Sequence, residues 1–388
     1  IFGHQHLYIE LQHHHLPDDE HLNHRLRALA HRLELPVVAT GNVHYATSTE
    51  SRLRDCLIAT SRLETLTEAR QAGALPLNSS YCLTSSQEMA ARFGVCPEAI
   101  TNSVAIAERC HASLDFSARR LPAFMAPNGQ SEFAYLYELC HGNLPLRYPD
   151  LRPAVLTQLA HELAVIEAAE LAGYFLIVWD IVRFAKEANI RCQGRGSAAN
   201  SIVAYLLEIT SIDPLKHDLL FERFLSADKF TTPDIDIDFA ADRREEVIQY
   251  VYQRYGREHA AMVCNVVTYR ARSALRDLGK ALAFPEPVIA RLSKSMDSNS
   301  PRTAADGLVA QAGADAPPEH PLRQLAELMR QIDGCPRHLS IHSGGMLITA
   351  QPLTEVVPLE AATMPGRVVV QWEKDSVEDV GLIKIDLL

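Results

Sequence analysis

The chain has 388 residues, a formal net charge of −11, 47% hydrophobic residues and 22% charged residues. This length allows two or three domains with real cores, and the composition is ordinary for a globular protein. The longest apolar run, near residues 174–179, is far too short to span a membrane. Eight scattered cysteines without a CxxC pair argue against a zinc ribbon or disulfide framework and favour a cytoplasmic location.

The first third of the chain predicts alternating strands and helices. Extended segments are expected at 7–11 and 36–45, and helices at 18–35, 85–93 and 97–110. The helix at 18–35 has acidic residues at its start, and the helix at 97–110 opens on proline, as helix N-termini prefer. Residues 113–130 are predicted to be a linker.

The rest of the chain predicts a helical part, a mixed part and a β-rich end. Helices are expected at 131–141 and 153–171, an apolar helix or strand at 174–188, and a Gly-rich turn leading into a helix at 201–209. A strand at 234–239 and a helix at 243–256 follow, then a mainly helical stretch at 266–343 and strands towards Leu388. Because the chain starts at Ile1 and ends on a strand-like run, we expect a piece of a longer protein.

The segment "PDIDID" places Asp234, Asp236 and Asp238 on one face of the predicted strand. Three like charges there repel one another, so a cation is expected over that face. An exposed acidic strand is the plain alternative, while an EF-hand loop lacks its required Gly and Glu. Carboxylates are ligands that Mg²⁺ accepts beside substrate phosphates, and two such ions can serve phosphoryl transfer.

The segment "GRGSAANS" at 194–201 opens a helix and contains Arg195. Glycines let backbone amides approach an anion, and a helix N-terminus adds positive potential. The pattern is neither a Walker A motif nor GxGxxG, and a plain tight turn is the alternative. About forty residues before the carboxylate strand, it indicates a seat for a triphosphate.

Two further features complete the candidate set. Residues 243–280 hold eight Arg or Lys residues against four acidic residues, which predicts a surface for a nucleic-acid backbone or a merely solvated helix face. The terminal "IKIDLL" places Lys384 and Asp386 on one face of the last strand, so Asp386 would supply a third carboxylate if that strand lies beside "DIDID".

These motifs resemble the C-family bacterial DNA polymerases, the DNA polymerase III alpha subunits. The resemblance covers nearly the whole chain, through "GYFLIVWDIV", "QGRGSAANSIVAYLLEITSIDPLKHDLLFERFL", "PDIDIDF", "TYRARSALRDLGKAL" and "RHLSIHSGGMLI". "CQGRGSAANS" is more similar to the error-prone branch and "ATGNVHY" to the replicative branch, so the subtype stays open.

The resemblance implies an α/β (mixed α+β) fold in four parts. Residues 1–112 would be the C-terminal part of a polymerase-and-histidinol-phosphatase (PHP) domain, 113–265 and 344–388 a polymerase-beta-like nucleotidyltransferase palm, and 266–343 a helical thumb. The fingers and the clamp-binding regions would lie beyond Leu388.

The resemblance also implies roles for single residues. Asp234, Asp236 and Asp386 match the metal-binding catalytic aspartates, whereas Asp238 matches the motif without being a ligand. The nucleotide's phosphates would meet Arg195, Gly196, Ser197, Arg223 and Lys384. Duplex DNA would meet Arg270, Arg272, Arg276 and Lys280.

The PHP part carries a weaker metal hypothesis. "ATGNVHY" places Asn42 and His44 on the turn that matches a metal site in relatives, which have Asp where this chain has Asn42. His44 would bind Zn²⁺ or Mn²⁺ there. Other histidines near the start are candidates too, although His-rich surface segments are commonly just solvated: His4, His6, His13, His14 and His15.

The sequence therefore predicts a DNA-directed DNA polymerase core. It would use two Mg²⁺ ions, replaceable by Mn²⁺, with template–primer DNA and dNTPs as substrates and a sliding clamp and other polymerase subunits as partners through other regions. No membrane partner is expected. Two alternatives stay open: a metal-dependent phosphoesterase centred on the PHP part, and a catalytically silent DNA-binding fragment.

Overall fold

Two units make up the fold: Ile1–Ala112 with Thr268–Arg337, and Ser113–Val267 with His338–Leu388. The computed structural model describes residues 3–111, 123–225, 235–296 and 298–388. Asp234 and Lys229 fall outside these described residues, as does most of the predicted linker.

Helices and strands alternate along most of the chain. The helices are α1 (Asp19–Leu33), α2 (Ser51–Ser61), α3 (Leu66–Gln71), α4 (Ser86–Arg92), α5 (Pro97–Arg109), α6 (Glu132–Arg147), α7 (Pro153–Ala168), α8 (Ala172–Glu187), α9 (Ile202–Leu206), α10 (Arg244–Tyr255), α11 (Ala271–Ala281), α12 (Glu286–Lys294), α13 (Pro301–Ala312), α14 (Pro321–Gln331) and α15 (Lys374–Asp379). The strands are β1 (Ile9–Gln12), β2 (Val37–Thr40), β3 (Cys192–Arg195), β4 (Ile235–Phe239), β5 (Ala260–Thr268), β6 (Pro336–Ile348), β7 (Leu359–Ala361), β8 (Val368–Glu373) and β9 (Lys384–Leu387).

The first unit contains two separate cores. One lies at the parallel pair β1–β2, where Leu11, Val37 and Ala39 are buried with residues of α1 and α5. The other joins α2 and α3 to α11–α14, with Cys56 and Leu275 among its fully buried side chains. Residues predicted to belong to the PHP part and to the thumb therefore share one hydrophobic core, while those two names stay predictions.

The second unit is built on a seven-stranded mixed sheet. Its strand order is β3-β4-β9-β6-β5-β8-β7, with β4–β9 and β5–β8 parallel. Helices of this unit bury their apolar sides in the same core as β4 and β9, and most of α8 is fully buried. The predicted mixed α/β class is confirmed by this sheet and its helices; its description as a polymerase palm stays a prediction.

Local patterns were right for the long helices and wrong at two short segments. The ambiguous stretch at 174–188 is a helix, α8, because it is apolar on nearly all sides and lies inside the core. The predicted Gly-rich turn instead begins as strand β3, whose Gln193 and Gly194 pair with Asp238 and Ile237. Helix α15 interrupts the predicted β-rich end.

Among the described residues, no helix combines the length and apolar character that a bilayer crossing requires. The eight cysteines are free thiols. Burial raises the pKa of Cys56 to about 12, so this thiol stays protonated at neutral pH.

Candidate active site

Four neighbouring strands of the second unit place one residue each in a single row across the sheet. Arg195 of β3 pairs with Asp236 of β4, Asp236 with Asp386 of β9, and Asp386 with Gly345 of β6. Directly opposed residues on adjacent strands point to the same face of a sheet. We call Arg195, Asp236, Asp386 and Gly345 the acidic row.

Strand β4 turns its carboxylates to this face because its apolar residues fill the core. Ile235 and Ile237 are fully buried, whereas the Asp236 and Asp238 side chains are 28% and 52% exposed. The predicted adjacency of the last strand to the aspartate strand is confirmed by the β4–β9 pairing. Asp234, the first predicted ligand, precedes β4 and lies outside the described residues.

Two basic side chains of the protein itself lie over the acidic row. Lys384 Nζ donates to Asp386 Oδ2 at 2.5 Å. Arg195 places Nε 3.2 Å from Asp238 Oδ1 and Nη2 3.9 Å from Asp236 Oδ2. The repulsion expected among the carboxylates is thus partly offset, and Asp238 is held by an arginine, as its predicted non-ligand role requires.

The other oxygen of Asp386 is left without a hydrogen bond. Asp386 is 6% exposed, and its Oδ1 is buried with no hydrogen-bond partner among the described residues. A buried carboxylate oxygen without a donor is costly unless a cation binds it. Together with Asp236 beside it, this oxygen fits a hard divalent cation such as Mg²⁺.

The described residues do not bring together a complete ligand set. They contain no group of three or more His, Cys, Asp or Glu side chains arranged to hold a metal ion. In the acidic row only Asp236 and Asp386 are available, because the third predicted aspartate lies outside those residues.

The segment after Arg195 bends sharply towards the acidic row. Gly196 has φ of +65°, a left-handed conformation that favours glycine, and a Cβ there would lie 3.7 Å from Asp236 Oδ2. Gly196–Asn200 then forms a 3₁₀ turn with Ser197 half-buried. The predicted phosphate-binding Gly196 and Ser197 therefore lie next to the carboxylates.

The helix that follows does not offer its N-terminus to a phosphate. The buried carboxylate of Glu162, on α7, accepts from the Ile202 amide at 3.0 Å and the Val203 amide at 3.2 Å. It also accepts from Ser201 Oγ at 2.7 Å. Burial raises the pKa of Glu162, although these donors counteract that effect. The expectation that this helix end supplies positive potential for a ligand is thus wrong, because an internal carboxylate already occupies it.

Arg223 lies on the 3₁₀ segment Phe221–Arg223, which packs against the Gly196–Asn200 turn. Its side chain is exposed, and no ion pair of Arg223 occurs among the described residues. This position leaves its guanidinium available to an anion beside the turn.

The predicted basic surface at 243–280 divides between the two units. In the second unit Arg243 pairs with Glu246 at 2.7 Å, and Arg254 lies 3.7 Å from Asp180. Those arginines are engaged inside the protein, and β5 runs largely buried through the middle of the segment.

The part of this surface in the first unit stays exposed. Arg272, Arg276 and Lys280 are exposed on α11 at intervals of four residues, with Arg270 exposed at its N-cap. Positions four apart lie on the same face of a helix. Lys280 is 3.2 Å from Glu286, and for the three arginines no ion pair is found in the described ranges. The DNA-binding prediction therefore narrows to this face of α11.

The histidines near the chain start are engaged separately. His14 is 4% exposed, stacks on Tyr81 with ring centroids 3.9 Å apart, and lies 3.3 Å from Ser80 Oγ. His44 is exposed and pairs with Asn42 Oδ1 at 3.3 Å. The described part of this unit offers no metal-ligand set around His44, so its predicted metal role has no support there.

Two residues of the site were missed in the sequence. Glu162 is the only acidic residue on an otherwise apolar side of α7, a signal for a buried carboxylate with internal donors. His342 lies in "SIHSGGML", where the Gly-Gly pair indicates close backbone approach. His342 Nδ1 is 3.7 Å from Asp386 Oδ1.

The sheet and its acidic row define a mixed α/β protein with a paired-carboxylate site suited to a divalent cation. The sequence model described as "Bacterial DNA polymerase III alpha NTPase domain" matches residues 134–388. The chain belongs to this bacterial DNA polymerase III alpha family.

Curated relatives carry one name. Error-prone DNA polymerase from Nocardia farcinica is 44% identical over 389 residues, covering 100% of this chain and 33% of the relative. Those from Symbiobacterium thermophilum and Mycobacterium bovis are 43% and 45% identical, covering 98% of this chain and 35% and 34% of the relatives. The chain spans about a third of the length of the curated relatives it matches.

Proposed function

We propose that this chain is the catalytic core of an error-prone DNA polymerase, transferring a nucleotide from a dNTP to a primer 3′-OH under direction of a template. The observation that carries the proposal is the acidic row, with Asp236 opposite Asp386 and a buried, unpartnered Asp386 Oδ1. Family membership and the name of the relatives support the same activity.

Asp234, Asp236 and Asp386 would hold two Mg²⁺ ions, with Mn²⁺ as a substitute. When bound, the two ions supply activation of the primer hydroxyl and stabilisation of the leaving pyrophosphate. Asp238 takes no part, since Arg195 holds its carboxylate. The acidic row presents its carboxylates on one face, where a primer terminus and a triphosphate can both approach.

The basic residues of the site have a proposed second role towards the nucleotide. Lys384 neutralises Asp386 in the absence of a cation, and a cation bound to Asp386 releases its ammonium to the phosphates. Arg195 and Arg223 approach the Gly196–Asn200 turn from β3 and from the 3₁₀ segment. Fixed positive charge at a transferring phosphoryl group stabilises the charge that develops there.

The proposed parts are a palm at 113–265 and 344–388, a thumb at 266–343 and a PHP part at 1–112. Template–primer DNA and dNTPs are the proposed substrates, and a sliding clamp and other polymerase subunits would bind regions outside this chain. The proposed location is the cytoplasm. The error-prone role is preferred over the replicative one because the curated relatives carry that name.

Primer extension tests the proposal against the silent DNA-binding alternative. The longest natural form of the protein, given a 5′-labelled primer on a longer template with dNTPs, should extend the primer with Mg²⁺ or Mn²⁺ and not with EDTA. Binding of the duplex without extension, in the presence of either cation, would instead favour a silent DNA-binding protein. Release of phosphate from a generic phosphoester without extension would favour the phosphoesterase alternative.

The exposed face of α11 should carry salt-dependent binding of duplex DNA. Each phosphate contact contributes about −0.9 to the slope of log K against log salt concentration, so Arg270→Gln with Arg272→Gln should flatten the slope by about 1.8. The measurement is a titration of labelled template–primer at several salt concentrations.

Arg330→Gln is the matched control, because Arg330 lies in the same unit and already pairs with Asp306 at 2.8 Å. Its slope should equal that of the unmodified protein. An unchanged slope in the double variant would return Arg270 and Arg272 to the status of a solvated helix face.

A further inference from the structure

His342 lies on β6 beside the acidic row and has a fixed hydrogen-bonding role. Its Nδ1 accepts from the Gly345 amide at 2.6 Å and is 3.3 Å from the Gly344 amide. A ring nitrogen that accepts from an amide carries no proton, so the neutral imidazole has its hydrogen on Nε2. The 3.7 Å approach of this Nδ1 to Asp386 Oδ1 is therefore not a hydrogen bond.

Gly345 makes this close arrangement sterically feasible. It is the member of the acidic row opposite Asp386, and it has no side chain. A Cβ on Gly345 would lie 2.7 Å from His342 Nδ1 and 3.1 Å from Asp386 Oδ1. The imidazole thus occupies the space that any larger residue in the row would take, and it packs directly beside the carboxylate.

The two oxygens of Asp386 are consequently treated differently by their neighbours. Oδ2 receives the ammonium of Lys384, while Oδ1 faces an imidazole nitrogen that cannot donate. Oδ1 stays buried and unpartnered among the described residues. A proton donor in the place of His342 Nδ1 would satisfy Oδ1 and compete with a cation for it.

We propose that His342 is a positioning residue: it locks the Gly344–Gly345 backbone through Nδ1 and holds Asp386 with Oδ1 open to a divalent cation. This inference rests on the proposed function, since it concerns the carboxylate that would bind the ion. It assigns His342 no contact with substrate and no proton transfer.

The test compares two substitutions of His342. His342→Asn keeps an acceptor near the Nδ1 position, whereas His342→Leu keeps a similar volume and removes the acceptor. The dissociation constant for Mn²⁺ is measured on the 388-residue chain from the electron paramagnetic resonance signal of free Mn²⁺. The Mg²⁺ concentration for half-maximal primer extension is measured in the longest natural form at saturating dNTP.

We expect His342→Leu to raise both metal constants about tenfold or more, and His342→Asn to keep them within about threefold. His141→Leu on α6 is the matched control, because its ring stacks on Tyr137 and lies on a helix of the same unit. It should leave both constants unchanged. Melting temperatures in EDTA report the effect of each substitution on the metal-free fold.

A purely structural His342 predicts a lower melting temperature in EDTA with unchanged Mn²⁺ affinity, and that result would overturn the inference. If His342→Leu does not fold, His342→Gln displaces the acceptor by one bond and should still weaken Mn²⁺ binding; unchanged affinity there would equally overturn it. Asp386→Asn separates the two proposals: wild-type Mn²⁺ affinity and extension in that variant would reject the proposed function itself.

Discussion

Asp386→Asn and Asp236→Asn are each expected to lower nucleotide incorporation by at least about 10³-fold, which corresponds to about 4 kcal/mol of transition-state stabilisation. The amide keeps the shape of the carboxylate but lacks the negative charge that a divalent cation requires. Single-turnover primer extension at saturating dNTP measures the loss, and melting in EDTA shows that each variant folds.

Asp238→Asn is the matched control on the same face of β4. Its carboxylate is half exposed and held by Arg195, so incorporation should fall by less than about tenfold. Mn²⁺ at 100 times its dissociation constant should stabilise the unmodified chain by about 2.7 kcal/mol, and this gain should vanish in Asp386→Asn. An Asp238→Asn variant as inactive as Asp236→Asn, and equally well folded, would show that the ligands are wrongly assigned.

Glu162→Ala is expected to destabilise the second unit by about 3 kcal/mol and to lower its melting temperature on the order of 10 °C. The substitution removes the acceptor of Ser201 Oγ and of two helix amides, and these donors are buried. Ser201 directly follows the Gly196–Asn200 turn, so KM for dNTP should rise as well. Thermal melting and steady-state extension provide the two measurements.

Glu167→Ala, an exposed carboxylate on the same helix, is the control and should change stability by less than about 0.5 kcal/mol. Glu162→Gln keeps the volume of the side chain and one acceptor oxygen, so an intermediate loss is expected. If Glu162→Ala melts with the unmodified chain, the buried carboxylate does not organise the turn and the helix after it.

Periodicity along the chain was sufficient for the elements whose neighbours lie close in sequence. The helical spacing at 18–35 and 243–256 led directly to α1 and α10. It was insufficient at 174–188, where a fully apolar run fits a buried helix or a buried strand equally well. It failed at 192–195, because a glycine-containing segment becomes a strand only through its pairing with β4.

The functional assignments divide in the same manner. The adjacency of Asp386 to the aspartate strand followed from the resemblance and from charge, and the β4–β9 register confirmed it. Glu162 and His342 were missed because their roles depend on partners about forty residues further along the chain. His14 resembled a metal ligand in sequence and proved to be a buried histidine stacked on Tyr81.

The sequence by itself determined that Asp236 and Asp238 share one face of a strand, since alternation is a property of consecutive residues. Only the tertiary structure decided which neighbours those carboxylates have. Pairing of β3, β4, β9 and β6 brings Arg195, Asp386 and Gly345 into one row from positions far apart in the chain. Burial then distinguishes the carboxylates: Arg195 holds the exposed Asp238, whereas Asp386 keeps a buried oxygen that no described donor satisfies. Packing of distant segments sets that difference in solvation and charge, and the local pattern of residues does not contain it.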